Sequence, residues 1–120
     1  MDSNTADQRS NEMANEQAAA TATTIFNQMG GVNKIGAMTG AKNFGFNVTD
    51  AGNVKGSFLF KGARKVNGLE VTLENDDTYT MTFSKTTPKS GYTVINEIGN
   101  VHGDQLAGIF TSTTGLYLSI

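Results

Sequence analysis

The chain has no cysteine, one proline and one histidine in 120 residues, and charged side chains make up only 17% of it. Without cysteine there is no disulfide framework and no thiolate metal site. Small secreted scaffolds usually depend on such staples, so a reducing, cytoplasmic setting is expected. The lone His102 forms no His–His metal pair and no Cys–His dyad, and acid–base work would need a nucleophile or second carboxylate that no motif identifies. No stretch approaches the roughly eighteen apolar residues of a membrane helix, and mean hydropathy is −0.28, so no membrane partner is expected. The first residues, Met1-Asp2-Ser3-Asn4-Thr5-Ala6-Asp7, are polar and acidic where a secretory signal is basic and then apolar. The glycosylation-type triplet Asn47-Val48-Thr49 therefore carries no weight.

Two motif-like segments fail their own chemistry. Gly36-Ala37-Met38-Thr39-Gly40-Ala41-Lys42-Asn43 has glycines before a lysine, as in a phosphate loop. That loop needs four residues between the glycines, lysine directly after the second, and then a hydroxyl for magnesium. Here three residues intervene, Ala41 precedes Lys42 and Asn43 replaces the hydroxyl. The segment reads as a loop, a tight turn or at most a plain anion-binding turn at Thr39–Asn43. Glu74, Asp76 and Asp77 crowd a turn but lack the spacing and distal glutamate of a calcium loop. The expectation is a protein that is not an enzyme and has no metal, cofactor or catalytic residues.

What is present has a clear order. Residues 1–20 hold Asp2, Asp7, Glu12 and Glu16 against Arg9, which leaves the rest of the chain close to neutral. Polar and without apolar periodicity at its start, the segment 1–18 reads as a disordered acidic tail before a single domain over 19–120. Ala14, Ala18, Ala22, Ile25, Phe26 and Met29 recur mostly at spacings of three and four, as on one helical face, and Gly30-Gly31 supplies the stop. Phe44, Phe46 and Val48 alternate; Ser57-Phe58-Leu59-Phe60 is a compact apolar run. Leu69, Val71 and Leu73, then Tyr79, Met81 and Phe83, alternate with polar residues around Asn75-Asp76-Asp77, the pattern of an antiparallel hairpin with one wet face. Tyr92–Glu97 follows the turn at Pro88 to Gly91, Asn100–Gly103 breaks the sheet, and Asp104 opens a helix carrying Leu106, Ile109 and Phe110. The fold class is α+β: an antiparallel sheet of four to five strands with an N-terminal and a C-terminal helix packed on one face.

Two binding signals remain. Lys55, Lys61, Arg64 and Lys65 fall together without an intervening acid and enclose Phe58 and Phe60, and Lys42 precedes them. Cations with rings suit single-stranded nucleic acid or a phosphorylated small ligand such as a nucleotide. The acidic pI of 5.2 and the absence of any nucleic-acid motif weigh against a dedicated nucleic-acid protein. The second signal is the run of hydroxyls Thr72, Thr78, Thr80, Thr82, Ser84, Thr86 and Thr87, a pleated polar surface whose open edge would offer a backbone template to a protein partner or to a second copy in a homodimer.

The segments Thr39-Gly40-Ala41-Lys42-Asn43-Phe44, Asp77-Thr78-Tyr79, Asp104-Gln105-Leu106 with Ile109-Phe110, and Thr114-Gly115-Leu116 resemble a group of small proteins encoded by bacteriophages, plasmids and related mobile elements. The resemblance spans about residues 21–120. It implies an accessory protein acting inside a bacterial cell on a host or phage protein, in the setting where inhibitors of host defence are found; it brings no catalytic residues with it.

Overall fold

The computed structural model describes residues 16–61, 63 and 65–118. Most of the expected tail lies outside these residues, whereas Ala18, its last position, is buried in the core. Helix α1 covers residues 16–28, α2 Val32–Thr39 and α3 Leu106–Thr114, the last entered through a 3-10 turn at Gly103–Gln105. Between α2 and α3 run β1 (Lys42–Val48), β2 (Val54–Leu59), β3 (Gly68–Leu73), β4 (Tyr79–Thr87) and β5 (Gly91–Val101). They form one five-stranded antiparallel sheet in the order β1-β2-β3-β4-β5. The α+β class and the helical packing on one face are as the sequence predicts.

The core lies between that face and the helices. In α1, Ala18, Ala22, Ile25 and Phe26, and Met29 directly after it, are buried because steps of three and four residues return to one side of a helix. Facing them are Phe58 and Phe60 from the β2 side, Leu69 and Val71 of β3, and Tyr79, Met81 and Phe83 of β4, in register across the strands. Rings knit the layers: Phe44 lies 5.3 Å from Phe26 and 5.2 Å from Phe58, and Phe60 lies 5.2 Å from Phe110 of α3. Each such side chain contributes about 1.5–3 kcal/mol by leaving water. Gly56 lets α1 approach, since a Cβ there would stand 3.1 Å from the Phe26 ring. Among the described residues no helix is long and apolar enough to cross a membrane.

Two departures from the sequence reading have local causes. Val32–Thr39 is a helix, not a loop: Ile35 and Thr39, one turn apart, are buried, the Thr39 hydroxyl donates to the Ile35 carbonyl at 2.7 Å, and Gly40 ends the helix at φ 68. Gly36 inside and Gly40 after the helix disguise it, and only Gly40 is a true stop. The last strand runs Gly91–Val101, past the expected break at Asn100, because that residue sits at φ 56 within a bulge that keeps Val101 paired with Tyr79. A second bulge in β5 falls between Val94 and Asn96, and one in β1 carries Asn43 at φ 58. The β3–β4 turn is the expected one. The Asp76 carboxylate accepts from the Thr78 N–H at 3.1 Å and hydroxyl at 2.6 Å, which holds it below its ordinary pKa of 3.8.

Candidate functional site

Strand alternation sends every second residue to the face opposite the helices. There the pairing sets Asn47, Lys55, Thr72 and Thr80 in one row, then Gly45, Ser57, Glu70, Thr82 and Glu97, then Lys42, Leu59, Gly68, Ser84 and Val94. Thr86 pairs with Tyr92 beyond them. Of the hydroxyls expected to form a wet face, Thr72, Thr80, Thr82, Ser84 and Thr86 share this surface. Thr78 is engaged in the β3–β4 turn.

A cavity of about 170 Å³ opens on this face. Its floor is Gly68, where a Cβ would come within 2.8 Å of the Ser84 hydroxyl and 3.3 Å of Leu59. Leu59 and Tyr92 wall it, Ser57, Glu70 and Ser84 supply polar groups, and Asn43 and Thr86 stand at its rim. The Tyr92 hydroxyl donates to Glu70 Oε1 at 3.0 Å, and Glu70 Oε2 lies 3.0 Å from the Lys55 ammonium. Desolvation, and then the Glu70 carboxylate, raise the Tyr92 pKa above its ordinary 10.0 against a smaller opposing hydrogen bond from Ser84. The phenol is therefore a fixed donor at neutral pH, and its ring stays half exposed beside the cavity. Below it the Asn67 amide continues the ladder, donating to the Thr86 carbonyl and accepting from the Thr86 N–H, both at 2.8 Å.

The five cations singled out by sequence do not form one patch. Lys55 is spoken for by Glu70 and lies six strand residues, about 20 Å, from Lys61. Lys42 opens β1 opposite Leu59, while Lys61 and Lys65 are exposed in the β2–β3 connection; these three share one end of the sheet. Arg64 lies outside the described residues. Phe58 and Phe60 are 2% exposed and belong to the core, so they stack no ligand. An up-and-down sheet sends its connections alternately to two ends, and the close of β4 and the β4–β5 connection bring Lys85 and Lys89 to the same end as Lys61. Asp50, Glu74, Asp76 and Asp77 occupy the turns at the other end, with Asp104 following the end of β5 there. The near-neutral domain is thus polarised along its strands, a property that needs strand order and not composition. Tyr92 and Gly68 also escaped the sequence reading; a glycine inside an alternating strand is the one signal that marks such a close approach.

The remaining candidates sit apart. Thr39–Asn43 follows the carbonyl end of α2, whose partial negative charge is the wrong sign for the anion turn the glycines suggested. His102 is exposed, and its backbone N–H donates to the Gln105 side chain at the start of the 3-10 turn. Among the described residues no group of three or more His, Asp or Glu side chains is placed to hold a metal ion.

The chain matches no family model, no curated protein and no solved structure. Its surface is therefore the guide to its function.

Proposed function

We propose that the chain is a non-catalytic binding protein that docks a protein partner along the outer edge of β5. The observation that carries this reading is the edge itself. Among the described residues nothing pairs with the outer side of β5, and Glu97 is its only charged residue over Gly91–Val101. Val94 and Ile95 stand 48% and 47% exposed there. Edge strands are ordinarily blunted by lysine, proline or a covering element. Here the bulges split regular pairing into the stretches Gly91–Val94 and Asn96–Ile98, and the first is long enough for a partner strand to add by backbone hydrogen bonds while its side chains meet Val94 and Ile95.

The biological setting rests on the resemblance of the short motifs to proteins of phages and plasmids. It supports action inside a bacterial cell on a host or phage protein, a defence factor included. The test is capture from bacterial lysate with the wild type, with Val94→Lys/Ile95→Lys, and with Val48→Lys on the opposite edge as control. A partner retained by wild type and control but lost by the double variant supports the reading. A partner retained equally by all three sinks it, as does substrate turnover by the purified chain. Concentration-dependent dimers abolished by the double variant would make the partner a second copy.

A further inference from the structure

We infer that the basic end of the open sheet face binds single-stranded nucleic acid, one base lying over Gly68 against Tyr92 while phosphates follow Lys42, Lys61, Lys65 and Lys89. This goes beyond docking at the outer edge of β5: Tyr92 lies in the same stretch, but the site uses the sheet face and not the strand's outer backbone. Three independent observations converge on it. First, the strand ends and connections at this end, residues 40–43, 60–67 and 85–91, contain no acid, and every acidic turn of the sheet lies at the far end of the strands. Acidic overall composition therefore does not cancel the local field that a polyanion meets. Second, the cavity over Gly68 has about 170 Å³, and roughly 150 Å³ is enough to hold a benzene ring. It therefore has room for one flat ring. Third, the exposed large aromatic ring on that face, Tyr92, stands at the wall of that cavity, next to the β4–β5 turn that carries Lys89.

The chemistry of the cavity decides between kinds of anion. No lysine or arginine lines it, and the Glu70 carboxylate is matched by Lys55, so a carboxylate or phosphate finds no counterion in its interior, whereas a neutral ring with N–H and carbonyl edges finds matching partners. Glu70 and the serine hydroxyls accept, and the Ser57 and Ser84 hydroxyls also donate. The negative charge of the ligand must then lie outside, where the lysines are. A neutral flat base on an anionic backbone meets both conditions; an acidic peptide meets only the second. Because the base must leave its stack to enter, the ligand is single-stranded. Lys42 on β1 and Lys89 beyond β4 are three to four strand spacings apart, about 15–19 Å, room for several nucleotides across the sheet end.

The test uses the full chain and fluorescence anisotropy with a labelled mixed-sequence twelve-nucleotide single strand, the same sequence as duplex, and polyglutamate of equal charge. The single strand should bind tightest. Its affinity should fall with salt at a slope of about −2 to −3 in log–log form, the value for three or four neutralised phosphates. Tyr92→Ala should weaken binding about 5- to 150-fold, as loss of one stacked base does, and Tyr92→Phe should keep most of it. Lys42→Ala/Lys89→Ala should flatten the salt slope by about one or more. Val94→Lys/Ile95→Lys should not weaken binding, which separates this site from the β5 edge. No binding at low salt overturns the inference. Polyglutamate binding as tightly as DNA, with Tyr92→Ala without effect, overturns it in favour of an acidic protein surface.

Discussion

On one side of the sheet Phe58, Leu69, Met81 and Phe83 stand beneath the helices; on the other, the residues that alternate with them, Ser57, Glu70, Thr82 and Ser84, stand beneath none of them. The same strands make both surfaces, and the register gives each a different task. The covered face holds the domain together by ring packing and burial. The open face is joined by directional contacts, Lys55 to Glu70 to Tyr92 and Thr82 to Glu97, which fix its shape at small cost to stability. Substitutions should therefore sort by face before they sort by residue type.

The sharpest way to break that contrast is at two neighbours on β2. Phe58 meets the rings of Phe26, Phe44, Phe60 and Phe110 and is 2% exposed. Phe58→Ala should cost about 3–5 kcal/mol in urea unfolding, lost transfer energy together with the cavity left among rings that cannot all close in. Ser57→Ala, one residue away on the open face, should stay within about 0.5 kcal/mol. Equal losses would mean that the open face is also a packed core.

A smaller effect tests the covered face for tightness. Gly56→Ala would place its methyl 3.1–3.3 Å from two atoms of the Phe26 ring. That ring is held by Phe44 and Phe58 and has little freedom to retreat. The overpacking should cost about 1–3 kcal/mol, read as a lower urea midpoint at unchanged slope. A neutral or stabilising outcome would show that α1 is free to shift away from β2.

The covered face was the legible half. Alternation at Leu69–Leu73 and Tyr79–Phe83 and the helical spacing from Ala18 to Met29 are properties of single segments, and burial enforces them. Helix α2 was not legible, because eight residues with two buried positions give a weak period and Gly36 imitates punctuation. The open face was legible in composition but not in arrangement. That Gly68 falls between Leu59 and Ser84, or that Lys89 shares an end with Lys61 while Lys55 faces Glu70, depends on pairing between strands distant in sequence. Counting charges along 55–65 merged two environments that the register separates.

The smallest expected effect lies on the open face and depends on pH. Tyr92 carries a phenol whose pKa is raised, by desolvation first and then by the Glu70 carboxylate. Folding thus favours the protonated phenol. A group raised in the folded state contributes its stability fully below the unfolded value near pH 10 and loses it as pH climbs through the folded value. Tyr92 is half exposed, so the contribution is small, and the chain holds two further tyrosines. The measurement is accordingly a difference. Thermal melts of wild type and Tyr92→Phe, taken from pH 8 upward, should keep a constant separation to about pH 10 and converge above it. Separation that widens with pH would mean that the phenolate is the favoured form, and that the bond to Glu70 does not hold the ring at the cavity wall.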